Sequence, residues 1–347
     1  MNKEMRNRVV VMTGASSGLG RGAALKFAEA GAKVVLAARR RRELKDVAKE
    51  CERRGGKALV VETDDGNSGE VHELAERAVS KFKKIDVWVN NAGVGAVGHF
   101  EETPLEEHKQ VIMTNLRGTM YGSYEALQQF HKQRRGVLIN VGSFAGKIAA
   151  PYLSSYSASK FGVRGLGIAL RQELEANDED GISVCTVMPV SHDTPFFEHA
   201  ANYSGKPVQP LGTVYDPQKV VDVIYELALD PEDEVIVGVS GKIAALGARF
   251  MPGLTEKQMG KRGHKTQMGQ NKSALDKSGS VFEPGESGTG IYGGWTTGSD
   301  ESQSQSEEKH NGKLRTVLGF VVPIGMGAAY LALQRMRAKR GQHERAA

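Results

Sequence analysis

Short apolar runs rich in β-branched residues alternate with longer amphipathic stretches over the first two thirds of the chain. A run that is apolar at nearly every position is typical of a strand in a parallel sheet, because helices cover both of its faces. The alternation therefore predicts an α/β protein with a doubly wound parallel sheet, the Rossmann fold. The predicted strands are residues 9–12, 33–38, 58–62, 87–90, 137–141, 183–187 and 234–237.

The composition changes near residue 253, where Gly, Ser, Gln and Lys replace the apolar runs. Such segments bury little surface, so we expect a folded domain over residues 1–252 and a flexible low-complexity linker over 253–312. The last segment, 313–347, contains an uncharged stretch at 316–334 between basic flanks. Its length fits a weak membrane helix, and its small residues equally suit packing on protein, so the sequence leaves both alternatives open.

Charge and cysteine content narrow the function classes. A net charge of +5 on 347 residues is a small surplus, so we do not expect a nucleic-acid partner. The two cysteines, Cys51 and Cys185, stand at no metal-ligand spacing, which indicates a reducing compartment and no structural metal. The polar N-terminus lacks the apolar core of a signal peptide. We therefore expect a cytoplasmic domain, associated with the inner membrane surface if the C-terminal helix binds lipid.

A glycine-rich turn, with the sequence TGASSGLG at residues 13–20, joins the first strand to the first helical pattern. Glycines there permit a tight turn and a close backbone approach, so that a pyrophosphate can bind the amides at the helix N-terminus. The turn predicts a dinucleotide site. Its expected members are Gly14, Ser16, Ser17, Gly18, Leu19 and Gly20.

Four consecutive arginines, residues 39–42, follow the second strand. An acidic residue at this place would bind the ribose hydroxyls of NAD, whereas an arginine suits the 2′-phosphate of NADP. Arg39 is nearest to the strand and is the predicted contact. We therefore expect NADP(H) to be preferred over NAD(H).

Tyr156 and Lys160 lie four residues apart in a helical stretch and so share one helix face. A phenol with a pKa near 10 is a poor base at neutral pH. A cation about 4 Å from its oxygen would lower the pKa by roughly three units at an effective dielectric constant of 20. The pair is thus predicted to serve in general acid/base catalysis.

The chain resembles the short-chain dehydrogenase/reductase family over about residues 7–240. The resemblance rests on the glycine-rich turn, the NNAG motif at 90–93, Asn115, Ser143, and Tyr156 with Lys160, in the order and at the separations of the family. It implies that Tyr156 exchanges a proton with the substrate oxygen and that Ser143 hydrogen-bonds that oxygen. Lys160 would also hold the nicotinamide ribose, and Asn115 would anchor a water that connects Lys160 to solvent.

The resemblance also assigns contacts to the cofactor. Asp64 lies where the family contacts the adenine ring. The cofactor floor would be formed by Asn91, Ala92 and Gly93. For the neighbouring Asn90, a structural role in tying the central strands together is the competing interpretation.

One loop departs from the family pattern, in which a Pro-Gly pair is followed by a threonine four residues beyond the glycine. Here Pro189 is followed by Val190, and Thr194 is in place to reach the nicotinamide carboxamide. Valine lacks the freedom of glycine at positive φ, so we expect a different local backbone on the substrate side. His192 and Asp193 in this loop either touch the substrate or are solvated or helix-capping residues.

The substrate is expected to contact Ser143 and Tyr156 and an apolar lining over residues 144–153, which includes Ile148, Pro151, Tyr152 and Leu153. Residues 195–215, punctuated by glycine and proline, are predicted to be a mobile lid.

These observations predict an NADP(H)-dependent oxidoreductase that acts on CH–OH groups and interconverts an alcohol and a lipophilic ketone or aldehyde. The alternative is a membrane-tethered dinucleotide-binding scaffold without turnover, because a fold alone does not prove activity. The family resemblance further implies a homodimer or homotetramer, formed through helices around residues 106–134 and 154–175.

Overall fold

The protein contains a seven-stranded, wholly parallel sheet with helices on both faces. The structure, a computed structural model, describes residues 5–296. The strand order is β3-β2-β1-β4-β6-β7-β9, so all seven predicted strands and the doubly wound fold are confirmed. These strands are β1 (Val9–Thr13), β2 (Lys33–Ala38), β3 (Lys57–Glu62), β4 (Val87–Asn90), β6 (Gly136–Val141), β7 (Ile182–Pro189) and β9 (Glu234–Val237).

The described helices connect the strands in turn. They are α1 (Gly18–Glu29), α2 (Arg41–Arg53), α3 (Ser68–Phe82), α4 (Leu105–Ile112), α5 (Gly118–Gln133), α6 (Ser154–Ala176), α7 (Phe196–His199), α8 (Gln218–Leu227), α9 (Val239–Phe250) and α10 (Pro252–Gln267). A π-turn (Met113–Arg117) joins α4 to α5, and a short 3₁₀ turn (Phe144–Gly146) follows β6.

Two apolar cores lie on opposite faces of the sheet because successive strand side chains point to opposite sides. Val10 and Met12 of β1 pack with α1, α2 and α8, whereas Val9 and Val11 pack with α3, α5 and α6. Every residue of β1 is buried, which explains why the strand is apolar at nearly every position.

The strand order reverses between β1 and β4, the two strands at the centre of the sheet. A crevice opens at such a point beyond the carboxyl ends of the strands, and ligands of open α/β sheets bind there. Asn90 at the end of β4 donates to the side chain of Asn140 on β6 at 2.9 Å and accepts from Trp88 at 2.7 Å. Its role is therefore to join the central strands, as the structural interpretation predicted.

Two further strands were not predicted. The strands β5 (Ala96–Gly98) and β8 (Ala201–Tyr203) form a small parallel pair outside the main sheet. With three residues each, they are too short to show a hydrophobic period in the sequence.

The structure revises the first part of the predicted linker. Residues 252–267 form α10, which packs against α9, and the chain up to Trp295 belongs to the same compact unit as the sheet. Gly263 on α10 lies against the ring of Pro151, and Gln267 is buried. The helix needs few apolar residues because small and polar side chains make these contacts.

The remaining part of the predicted linker and the whole C-terminal segment, including 316–334, lie outside the described residues. Within residues 5–296, no helix is both long and apolar enough to cross a membrane.

Candidate active site

The glycine-rich turn lies at the centre of the crevice, between β1 and α1. Gly14 has a φ of 62°, and an added Cβ atom would lie 2.8 Å from Nδ2 of Asn91. A Cβ atom at Gly20 would lie 2.3 Å from the carbonyl oxygen of Gly14. Both positions thus require glycine, and the turn brings the N-terminal amides of α1 to the crevice, as a pyrophosphate site needs.

Asn91 and Ala92 support this turn from β4. Asn91 donates from Nδ2 to the carbonyl oxygen of Thr13 at 3.0 Å. The backbone amides of Asn91 and Ala92 both donate to the hydroxyl of Thr13 at 3.1 Å. These residues therefore fix the floor beside the glycine turn, and Gly93 follows them along the wall of the crevice.

Tyr156, Lys160 and Ser143 meet at the carboxyl ends of β6 and β7. The phenol of Tyr156 is hydrogen-bonded to the side chain of Ser143. The ammonium group of Lys160 is buried, donates to the carbonyl oxygen of Val141 at 2.9 Å, and lies 5.7 Å from the centre of the Tyr156 ring. Ser143 and Tyr156 are 13 residues apart in the chain, and they meet because α6 packs on the turn after β6.

The electrostatics of this group differ from the expectation. Burial raises the pKa of the Tyr156 phenol, although its hydrogen bond with Ser143 acts in the opposite direction. Burial also lowers the pKa of the Lys160 ammonium to about 8. Loss of solvent disfavours the charged form of each group, and it is the largest cause of both shifts. The phenol is therefore protonated at neutral pH.

Asn115 lies in the π-turn, buried beneath this group. Its side chain accepts from the amide of Val94 at 2.8 Å and donates to the Ser159 hydroxyl at 3.0 Å. A π-turn inside a helix shifts the following backbone and often marks a functional site. Asn115 thus connects Val94 in the wall of the crevice with Ser159 of α6, and Ser159 is the residue before Lys160 in the chain.

Two arginines, not one, line the other end of the crevice. Arg39 and Arg40 both border it, and Arg40 donates to the hydroxyls of Ser16 at 3.2 Å and Ser17 at 2.7 Å. Arg41 instead pairs with Glu62 at the surface. Arg39, the predicted contact, is nearest to the strand, but Arg40 is the arginine that reaches the glycine turn.

Asp64 borders the same end, as predicted, and its carboxylate accepts from the Gly66 amide at 2.9 Å. The neighbouring Asp65 was not predicted. Burial and, to a smaller extent, the charge of Asp64 raise the pKa of its carboxyl group to about 7, against a hydrogen bond with Thr13 and the charge of Arg39, which act to lower it.

The departing loop accommodates Val190 without strain. Val190 is absent from the residues with positive φ, and its side chain contacts Gly238 and Gly241 at the start of α9. A Cβ atom on either glycine would lie within 2.6 Å of a Val190 methyl group. The methyl groups of Val190 therefore occupy space that a side chain at either glycine would need, and a backbone different from the family pattern stays a prediction. Thr194, at the end of the loop, is buried beside Gly18.

Comparison with known proteins agrees with this geometry. The family profile described as short chain dehydrogenase matches residues 8–203. An uncharacterised oxidoreductase of Bacillus subtilis, YxnA, is 37% identical over 288 residues, which cover 82% of this chain and 80% of the relative.

The chain belongs to the short-chain dehydrogenase/reductase family.

A 3-oxoacyl-[acyl-carrier-protein] reductase of Synechocystis is 34% identical over 235 residues, 67% of this chain and 93% of that protein. The fold is shared with a short-chain dehydrogenase/reductase of Burkholderia phymatum solved in complex with NAD, which has a TM-score of 0.65 and 24% identity over 72% of this chain and 96% of that chain. The protein is therefore an oxidoreductase of the short-chain dehydrogenase/reductase family, whose members bind nicotinamide nucleotides.

The crevice of this short-chain dehydrogenase/reductase continues into a pocket beside Tyr156. The whole cavity has a volume of about 590 Å³, within the usual range of 300–1,000 Å³ for ligand pockets. Its substrate half includes part of the predicted lining and lid. The predicted members present are Phe144, Ala145, Ile148, Ala150, Leu153, Pro195, Phe196, Phe197, His199, Ala200, Leu211, Gly212 and Thr213.

Other predicted members of the lining have a different role. Pro151 packs on Gly263, and the Tyr152 hydroxyl is 2.6 Å from Nδ1 of His264, so both hold α10 in place. The sequence analysis missed α10 as part of the pocket, where Met259 and Arg262 form the outer wall. The amphipathic character of α10 is weak, so no periodicity separated it from a linker.

Proposed function

We propose that this protein is an NADP(H)-dependent reductase of lipophilic ketones or aldehydes, with Tyr156 as the proton donor. The observation that carries the proposal is the joining of Tyr156, Ser143 and Lys160 in one crevice with the glycine turn. The arrangement supplies a proton donor, a hydrogen bond for the substrate oxygen and a dinucleotide cradle in a single cavity. A binding scaffold without turnover would need the dinucleotide cradle but not a proton donor beside it.

The glycine turn fits a dinucleotide because Gly14 and Gly20 let the turn pack tightly on itself and on Asn91, which brings the N-terminal amides of α1 to the crevice. A reduced nicotinamide bound there supplies the hydride for the carbonyl carbon. Lys160 would hold the nicotinamide ribose, Thr194 the carboxamide, and Asn91, Ala92 and Gly93 would form the floor. Val190, which follows β7, would contact the nicotinamide ring.

The chain's own residues would handle the proton. The Ser143 hydroxyl donates a hydrogen bond to the carbonyl oxygen and orients it. The Tyr156 phenol transfers its proton to that oxygen as the hydride reaches the carbon, and the resulting phenolate is stabilised by Lys160. Because burial raises the pKa of Tyr156, the phenol carries its proton at neutral pH, the form that a proton donor in carbonyl reduction needs. Asn115 positions the backbone for proton return to Lys160.

The preference for NADP(H) is supported by the two arginines at the adenosine end. Arg39 and Arg40 provide two guanidinium groups at this end, where Arg40 is bonded to Ser16 and Ser17 and Asp64 also lines the crevice. Guanidinium groups bind phosphate through charge-assisted, often bidentate hydrogen bonds. A 2′-phosphate would therefore find its counter-charge here.

The substrate class follows from the pocket wall around Tyr156. The ring of Phe196 lies 5.2 Å from that of Tyr156, and Phe144, Ile148 and Leu153 are buried in the same wall. Such a surface favours a lipophilic chain next to the carbonyl group. The relatedness to an enzyme named 3-oxoacyl-[acyl-carrier-protein] reductase supports an aliphatic oxo compound.

Two further proposals concern assembly. The predicted oligomer helices carry exposed apolar side chains, among them Met120 and Tyr124 on α5 and Phe161 on α6. Such a set supports a homodimer or homotetramer through these helices. The segment 316–334 is proposed to bind the inner membrane surface, on the sequence pattern alone.

The proposed function is tested by following NADPH oxidation with a panel of aliphatic, aromatic and small polar carbonyl compounds. We expect turnover with long aliphatic or aromatic ketones and aldehydes, and little with small polar ones. The same panel with Tyr156→Phe separates enzyme from scaffold. A protein that binds NADPH but oxidises it with no member of the panel would contradict the proposal.

A further inference from the structure

The chain beyond α10 returns across the adenosine end of the crevice. We call residues 277–295 the strap. The family profile ends at residue 203, so the strap lies outside the part of the chain that the family match covers. It is rich in Gly and Ser, with single apolar or aromatic residues between them, and it belongs to the segment that composition assigned to the linker.

The strap binds the cofactor-binding residues through its main-chain carbonyl groups. The carbonyl of Gly290 accepts from the amide of Gly18 at 2.8 Å. Arg39 donates to the carbonyl of Ser280 at 2.7 Å, and Arg40 donates to those of Gly285 at 3.2 Å and Ser287 at 3.1 Å. Each of these partners belongs to the glycine turn, its helix or the arginine pair that we propose for the dinucleotide.

Both ends of the strap are fastened to the far side of the crevice. At its start, Lys277 forms two backbone hydrogen bonds with Asn202 of β8, at 2.8 and 3.0 Å. At its end, the buried carboxylate of Asp193 accepts from the amides of Gly293 and Trp295, both at 2.9 Å. The Trp295 ring packs edge-on against Phe197 of α7 at 5.7 Å. The strap is thus held by its two ends as well as by its middle.

A cavity persists beneath the strap. Ser280, Pro284 and Gly285 of the strap border the same cavity as Ser16 and Arg39. The strap therefore forms a wall of the dinucleotide site and does not fill it, and with the Gly18 amide bonded to Gly290 a pyrophosphate would bind the other amides of the turn. A guanidinium group has five N–H donors, so Arg39 and Arg40 can hold strap carbonyls and a phosphate at the same time.

We propose that the strap is a removable roof over the adenosine half of the dinucleotide, fastened by Asp193, and that it must open for the cofactor to enter or leave. This inference rests on the proposed dinucleotide site. A bound 2′-phosphate would add charge-assisted bonds to the arginines that the strap also holds, so the cofactor and the closed strap stabilise each other. Cofactor exchange, and not only cofactor affinity, is then set by the strap.

The first experiment measures hydrogen–deuterium exchange of the full chain by mass spectrometry, with and without saturating NADPH or NADH. We expect the amides of residues 278–295 to exchange at least about fivefold more slowly with NADPH bound, because a closed roof protects its own hydrogen bonds. Faster exchange of the strap on NADPH binding would overturn the proposal, because it would mean that the cofactor displaces the strap.

The second experiment measures NADPH binding and release by stopped-flow fluorescence. Asp193→Ala removes the acceptor of two amides and should accelerate both entry and release, release by roughly tenfold or more. Asp193→Asn retains an acceptor oxygen and should restore most of the slow release. Trp295→Ala removes the ring that packs on Phe197 and so loosens the same end of the strap without changing Asp193. It should also accelerate release, which would exclude a local effect of the Asp193 substitutions on Thr194. Leu275→Ala, at a side chain 90% exposed just before the strap, is the matched control and should leave both rates unchanged.

The outcomes separate this inference from the proposed function. If neither dinucleotide changes the fluorescence or the exchange pattern, the dinucleotide site itself is wrong and the roof with it. If a dinucleotide binds but Asp193→Ala and Trp295→Ala release it at the wild-type rate, the proposed function stands and the roof is wrong. Faster entry of NADPH with unchanged release would show that the strap competes with the cofactor for the site, and this result would also overturn the roof proposal.

Discussion

Val190 fills the space that a side chain at residue 241 would need: a Cβ atom added to Gly241 would lie 2.6 Å from a methyl group of Val190. We therefore expect Gly241→Ala to lower the free energy of unfolding by about 1–3 kcal/mol through overpacking. The added methyl should be tolerated when Val190→Ala is combined with it. A double-mutant cycle measured by denaturant unfolding tests the coupling, and additive effects of the two substitutions would show that the contact is not the cause.

Tyr156→Phe should lower kcat by at least about 100-fold, because the phenol hydroxyl is the proposed proton donor. The Kd for NADPH, measured by fluorescence titration, should change little. Lys160→Ala should impair both, because Lys160 is also proposed to hold the ribose. Tyr124→Phe, which removes an exposed hydroxyl on α5, serves as the control for the substitution itself. Wild-type kcat for Tyr156→Phe on the best substrate would rule out its role.

The arginine pair predicts the cofactor preference. NADPH should bind more tightly than NADH. Arg39→Ala or Arg40→Ala should each reduce the Kd for NADH divided by the Kd for NADPH by about 10- to 100-fold, the range for a charge-assisted hydrogen bond. Taking the ratio removes effects of the strap, which touches the arginines with either cofactor. Arg41→Ala is the matched control, because Arg41 pairs with Glu62 outside the crevice. Equal affinity of the unaltered protein for NADPH and NADH would contradict the preference.

Asp65 predicts a specific pH dependence of stability. Burial raises the pKa of its carboxyl group to about 7 in the folded protein, above the value of about 4 expected in the unfolded chain. The folded state therefore binds the proton more tightly, and this contribution to stability is lost as pH rises from about 4 to 7. Asp65→Asn should remove that loss and be more stable than the wild type at pH 8, by on the order of 2 kcal/mol.

The Asp65 comparison is made by thermal or urea unfolding of both proteins between pH 4 and 8. The difference in the free energy of unfolding should shrink towards pH 4, where the wild-type carboxyl group is protonated in both states. A difference that does not vary with pH would assign the effect to packing and not to charge.

The C-terminal segment predicts membrane association. The full chain should sediment with vesicles that contain anionic lipids and be partly released by high salt, because basic residues flank the apolar stretch 316–334. A chain that ends at residue 296, just beyond the compact unit, should remain in the supernatant and keep its activity. If the full chain stays in the supernatant without detergent, the segment docks on protein instead.

The architecture and the main residues of the candidate site could be predicted from the sequence alone. All seven strands of the sheet were evident because parallel strands buried on both faces are apolar throughout, as in β1. The glycine turn, Ser143, Tyr156 and Lys160, which line one crevice, were evident because each depends on a residue type at a characteristic spacing.

What covers the crevice became visible only in the folded protein. The strap acts through backbone carbonyls, which every residue has, so no residue type in 277–295 indicates a contact with Arg39 or Arg40. The raised pKa of Tyr156 likewise depends on burial, which the spacing of Tyr156 and Lys160 does not indicate. The packing of Val190 could not be predicted because the two glycines that it contacts lie 48 and 51 residues later in the chain. Long-range packing, desolvation and main-chain hydrogen bonds leave no local pattern, and these three effects separate the predicted site from the observed one.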